Sequence, residues 1–91
     1  MSSSAKMPLR KPEYRLEKMD NEILLFNPNT SNVLYLNESA SVIWQLCDGQ
    51  HSVEEMIKLL ADVYPEAAAA INKDVHETLE LFISNGAVLL V

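Results

Sequence analysis

The sequence predicts an α+β domain: a three-stranded antiparallel sheet packed on a three-helix bundle, in a winged helix-turn-helix-like arrangement. Three observations predict it. Residues 14–36 hold short apolar runs with strand character, and residues 38–85 repeat their apolar positions at helical spacing. The turn signals between them are short, which makes neighbours antiparallel. The chain has 91 residues, 48% of them hydrophobic, which suits one small domain with one core.

Residues 1–12 read as a disordered tail, serine-rich with two prolines and little to bury. The folded domain is then 13–91. Tyr14, Leu16 and Met19 interleave with Arg15, Glu17 and Lys18, the pattern of a half-exposed first strand. Asp20-Asn21 is a turn signal. Glu22 to Phe26 is the second strand. Asn27-Pro28-Asn29-Thr30-Ser31-Asn32 is built almost wholly of turn residues and predicts a hairpin loop. Val33 to Leu36 is the third strand.

The stretch from Val33 to Gly49 organises the chain, because strand gives way to helix there at one polar residue. Asn37 is suited to cap the helix, since its side-chain oxygen can accept from free amides of the first turn. Glu38 places negative charge at the positive end of the helix dipole. Ala40, Ile43, Trp44 and Cys47 form the apolar stripe, and Asp48-Gly49 stops the helix. Ser52-Val53-Glu54-Glu55 is a capping box opening a second helix to about Val63. Its apolar face is Val53, Met56, Ile57, Leu60 and Val63. Tyr64-Pro65 ends it, because the residue before proline avoids helical angles. A third helix runs from about Glu66 or Ala67 to Asn85, with Ala68, Ile71, Val75, Leu79, Phe82 and Ile83 as its stripe. Gly86 closes it. Ala87 to Val91 is wholly apolar and reads as a terminal strand or a packed tail.

Charge excludes some functions. Residues 1–12 carry three cations and no acid, whereas 13–91 carry four cations against thirteen acids, a net of −9. A body this acidic repels phosphate backbones and favours basic partners. The helices offer Lys58, Asn72 and Lys73 toward a nucleic acid, outnumbered by Glu66, Asp74, Glu77 and Glu80. No apolar run of about 18 residues is present to span a membrane. The N-terminus lacks the apolar segment of a secretory signal, and the one cysteine allows no internal disulfide. These point to the cytoplasm.

The catalytic inventory is thin. His51 lies in a turn and His76 on the third helix, neither with a partner at metal-ligand spacing except His76 with Glu80, where a solvated polar face is the simpler reading. Gly49 and Gly86, the two glycines, stand at helix ends, so there is no phosphate loop. The expectation is a non-catalytic protein with no cofactor and no metal. What remains is the third strand. It holds no lysine, proline or inward charge, the usual defences of an exposed edge. Such an edge is either covered or used to add an extended peptide. From the residues alone, the simpler reading is that Val33, Tyr35 and their neighbours are only core.

The run Leu36-Asn37-Glu38-Ser39-Ala40, then Ile43-Trp44-Gln45-Leu46, Asp48-Gly49 and Ser52-Val53-Glu54-Glu55, resembles the PqqD-like family, named for pyrroloquinoline quinone biosynthesis protein D. Asp74-Val75 and the apolar helix ending at Gly86 match its C-terminal part. The resemblance covers about Pro12 to Val88. Asn85-Gly86 stands where Arg-Gly is common, and the end, Val88 to Val91, is unusually apolar.

The resemblance implies a peptide-recognition domain. Such domains bind the leader of a ribosomally made precursor peptide and present it to a modifying enzyme, often a radical S-adenosylmethionine enzyme. The leader is expected to add beside Val33, Leu34, Tyr35 and Leu36, with Val75, Leu79 and Phe82 as the helix wall. Asp74, Glu77 and Glu80 are candidates to meet basic residues of the leader. The alternatives are a winged-helix transcription regulator and a structural module whose edge pairs with a second copy. The oligomeric state on this reading is a monomer or a strand-swapped dimer.

Overall fold

The computed structural model describes residues 6–91. A short strand β1 (Pro8–Arg10) precedes a meander of β2 (Arg15–Met19), β3 (Glu22–Asn27) and β4 (Asn32–Leu36). Helices α1 (Glu38–Leu46), α2 (Val53–Val63) and α3 (Ala68–Ser84) follow, with a 3-10 turn at Pro65–Ala67 before α3. Strand β5 (Val88–Leu90) ends the chain. The meander pairs in the order β2-β3-β4, antiparallel throughout, so the expected three-stranded sheet on three helices is present.

Local chemistry sets the element ends. Asp20 turns the first hairpin at φ 50°, a conformation aspartate tolerates better than most residues. In the second hairpin the Asn27 carbonyl accepts from Thr30 and Ser31 amides while its side-chain Oδ1 accepts from Asn29. The Ala40 amide donates to Asn37 Oδ1 at 2.8 Å, which caps α1. The capping box forms in full: the Glu55 amide donates to Ser52 Oγ, and the Ser52 amide to Glu55 Oε1.

The core lies between the inner face of the sheet and the helices. Leu25, Ile43, Met56, Val75 and Phe82 are its deepest side chains. Trp44 packs edge-on against Phe82 with ring centroids 5.5 Å apart and against Tyr14 at 6.4 Å. Such geometry sets the partial positive edge of one ring on the negative face of another. Not every residue of the expected stripes is inside. Val63, Ala68 and Ile83 are exposed, because each sits at the margin of its helix's apolar arc.

The expected disordered tail is corrected over Pro8–Arg10. These residues pair antiparallel with β5, Pro8 opposite Leu90 and Arg10 opposite Val88. On the other side β1 meets the end of α1: the Arg10 amide donates to the Cys47 carbonyl and the Gly49 amide to the Pro8 carbonyl. The Arg10 guanidinium donates to the Gln45 carbonyl at 2.6 Å and the Trp44 carbonyl at 3.3 Å, so it caps the C-terminus of α1. Pro8 is buried. The partner of this segment lies at the far end of the chain, where local composition gives no hint of it. The rest of the expected tail, residues 1–5, lies outside the described residues. The same pairing resolves Ala87 to Val91, whose centre is the strand β5.

Candidate functional site

Strand β4 pairs only with β3, so among the described residues its other edge is free. An edge strand turns every second backbone amide and carbonyl outward, ready for another strand. Register fixes the two faces. Leu34 and Leu36 stand opposite Leu25 and Ile23 and point to the core. Val33 and Tyr35 stand opposite Phe26 and Leu24 on the outer face, 43% and 72% exposed. The four residues of the third strand therefore share one edge but divide between two faces.

The residues expected for the helix wall are buried. Val75, Leu79 and Phe82 are 0%, 4% and 0% exposed, so they belong to the core, and of the three Val75 reaches the floor of a surface cleft. The stripe one step around α3 is Asp74, Thr78, Leu81 and Asn85, at spacings of four, three and four. The two ends of that stripe face different neighbours, α1 at one and the start of β4 at the other. Asp74 borders a cleft shared with Ser39 at the start of α1. Asn85 Oδ1 accepts from Asn32 Nδ2, at the start of β4. Leu81, between them, is 43% exposed. The stripe was legible in principle, since its spacing is helical. The chemically mixed residues concealed it next to the more apolar stripe.

The two ends of this groove differ in chemistry. At the α1 end is a cleft of about 130 Å³, floored by Ile43, Leu60, Tyr64, Ile71 and Val75. Its polar rim is Ser39 and Asp74. At the hairpin end is an open polar cavity of about 540 Å³ with Lys11, Glu13, Tyr14, Asn32 and Asn85 around it. A hydrogen-bond cluster shapes that end. The Tyr14 hydroxyl donates to the Asn85 carbonyl at 2.8 Å and accepts from Asn32 Nδ2 at 3.0 Å. Asn85 Nδ2 donates to the Leu81 carbonyl, closing the last turn of α3. The sequence marks Asn32 as a turn residue and Asn85 as a departure from the family's Arg-Gly, but nothing local links the two positions.

Of the three acids proposed for a basic leader, Asp74 borders the cleft. Glu77 has Lys73 3.9 Å away, and Glu80 follows on the same exposed face of α3. Neither touches the apolar cleft. Cys47 is buried, and burial pushes its thiol up to about 12, so it is no nucleophile in this state. Asp48 is held below the ordinary carboxylate range by the Gln50 amide and then by His51. That pair orders the turn after α1. Among the described residues no group of three His, Cys, Asp or Glu side chains is placed to hold a metal ion. No helix among them is long and apolar enough to cross a membrane.

The fold defines a small α+β domain with one sheet edge open among the described residues. The family model for coenzyme PQQ synthesis protein D matches residues 22–88, and the chain belongs to that family. A protein named PqqA binding protein, from Methylococcus capsulatus (strain Bath), is 41% identical over 54 residues, covering 59% of this chain and 56% of that protein. The chain thus spans little more than half the length of that curated relative. Two solved structures share the fold. One is lasso peptide synthetase B1 complexed with the leader peptide, with TM-score 0.74, 21% identity, and coverage of 90% of this chain and 96% of that one. The other is TbiB1 in complex with the TbiA(beta) leader peptide, with TM-score 0.71, 18% identity, and coverage of 88% and 93%.

Proposed function

We propose that this protein is a non-catalytic accessory that binds the leader of a ribosomally made precursor peptide and presents it to a modifying enzyme. The observation that carries the reading is the free edge of β4, with the Ser39–Asp74 cleft near its α1 end and the Asn32–Asn85 hydrogen bond at its hairpin end. The named relative binds PqqA, and both structural neighbours hold leader peptides. That supports pyrroloquinoline quinone biosynthesis, or a related peptide-derived product, as the pathway. A radical S-adenosylmethionine enzyme is the partner the family resemblance suggests. A leader is made on the ribosome, which puts its carrier in the cytoplasm. The meander followed by three helices supports naming the fold winged helix-turn-helix-like, with the acidic body set against nucleic acid.

In this reading the leader adds to Val33–Leu36 through main-chain hydrogen bonds, and its side chains meet the groove. Val75, Leu79 and Phe82 hold α3 in place under it. Ordering a flexible leader offsets part of the contact energy, so affinity falls near the micromolar range, about −8 to −9 kcal/mol. Two steps of added strand leave Val33 and Tyr35 on the outer face, where a leader residue can pair beside them.

The test is a backbone amide NMR titration with a PqqA-type leader peptide. Shifts concentrated on 32–36 and along Asp74, Thr78, Leu81 and Asn85 are expected. Shifts confined to the basic N-terminal residues, or a dimeric molar mass with β4 amides protected before peptide is added, would overturn it. The second outcome would favour self-pairing through the same edge, the reading that the free strand also allows.

A further inference from the structure

This inference deepens the leader-binding reading and rests on it. The cleft at the α1 end of the groove has an unusual composition for so small a space. Its floor is mostly apolar, built from Ile43, Leu60, Ala67, Ile71 and Val75 with Tyr64 beside them, and its volume of about 130 Å³ matches one aliphatic side chain better than a large aromatic one. On its rim stands a carboxylate, Asp74, with no cation within ion-pair distance among the described residues. The next acid along α3, Glu77, has its own cation in Lys73. Across the cleft, Ser39 follows Glu38, the acid in the first turn of α1. An apolar hole with an uncompensated carboxylate at its mouth selects for an apolar residue with a cation close by.

We propose that this cleft recognises a leader segment in which one aliphatic residue is accompanied, within two positions, by a lysine or arginine. The aliphatic side chain fills the space over Ile71 and Val75. The cation reaches back to Asp74 at the rim. Side chains of an added strand alternate between faces, and a long cationic side chain spans the offset while its stem covers apolar surface. The acidic body raises the encounter rate for any cationic peptide. Only Asp74 reads the cation next to the anchor. A partly exposed pair of this kind contributes a modest preference, about two- to fivefold.

The experiment displays random ten-residue peptides and selects them on the full chain immobilised in four forms: wild type, Asp74→Lys, Asp74→Asn and Glu80→Lys. Thermal unfolding first establishes that the exposed substitutions leave the fold intact. Wild-type pools are expected to enrich an aliphatic residue with Lys or Arg within two positions, the cation about two- to fivefold over its library frequency. Asp74→Asn removes the cation preference and keeps the aliphatic one. Asp74→Lys replaces it with Asp or Glu. Glu80→Lys leaves it unchanged. An aliphatic preference with no cation beside it overturns the inference, as does a cation preference that survives Asp74→Lys. Equal loss with Glu80→Lys also overturns it, because diffuse charge would then be the cause. If wild type enriches no peptide over bare support, leader binding itself fails and this inference with it.

Discussion

Tyr14→Phe isolates the hydrogen-bond cluster at the hairpin end of the groove. The phenylalanine ring fills the same space and keeps the edge-on contact with Trp44, so only the hydroxyl is lost. That hydroxyl donates to the Asn85 carbonyl and accepts from Asn32 Nδ2. Its removal leaves the carbonyl that ends α3 without its side-chain donor. Asn32 keeps only the longer bond to Asn85 Oδ1, at 3.3 Å. Each lost bond is worth about 1 kcal/mol, and the site is only partly buried, so water recovers some of it. The expected loss is about 1–2 kcal/mol. For a domain of this size 1 kcal/mol moves the melting temperature by about 4–8 °C, so the midpoint falls by roughly 4–16 °C. Urea and thermal unfolding measure it, with the urea slope unchanged. In an Asn32→Ala background the same substitution costs less, because one of the two bonds is already absent. A loss below about 0.3 kcal/mol, or full additivity with Asn32→Ala, would refute the reasoning: the cluster would then be exchanging freely with water.

The remaining predictions divide core from surface and track pH. Phe82→Ala should cost about 3–5 kcal/mol, whereas Leu81→Lys leaves stability within about 0.5 kcal/mol and weakens leader binding roughly tenfold; chemical denaturation beside a binding titration separates the two. Arg10→Ala removes the cation that caps α1 and should destabilise by about 1 kcal/mol at low salt, with part of the loss screened at high salt; a wild-type melting curve would return the N-terminal segment to an unstructured tail. Asp48 has a folded-state affinity for protons below its ordinary value of 3.8, so the stability it lends is present above that pH and lost as pH falls through the lower folded value. Asp48→Asn should flatten that acid limb in unfolding curves taken from pH 5 downward. Cys47 shows the opposite case: raised from 9.0 to about 12, it lends stability below pH 9 that fades as pH rises toward 12. Its reaction with a disulfide reagent at pH 8 should follow unfolding and not the free-thiol rate.

Much of the fold was legible because its signals are local. Asn37, Ser52 and Glu55 cap helices through bonds that span three residues, and the structure contains each one. The two hairpins are turned by Asp20-Asn21 and by Asn27 to Asn32, where side chains bond their own backbone. The core stripe of α3 followed from spacing, and Ile71, Val75, Leu79 and Phe82 are all inside. The same spacing selected the residues expected for the helix wall, Val75, Leu79 and Phe82, which the core holds. The residues that repeat most cleanly are the ones the core takes, and the mixed residues one step around the helix, Asp74 and Asn85 among them, border the surface cavities.

The sequence by itself determined the strands of the meander, the three helices, their caps and the acidity of the body, and its resemblance to one family pointed to peptide recognition. Each rests on neighbours within a few positions, or on composition, and both can be counted along a chain. Only the tertiary structure decided that Pro8–Arg10 pairs with Val88–Leu90. It also decided that Asn32 meets Asn85, and that Asp74 and Ser39 share one cleft. These contacts join positions more than thirty residues apart. No local preference encodes them, because they form only when the helices and the sheet have buried their apolar faces together.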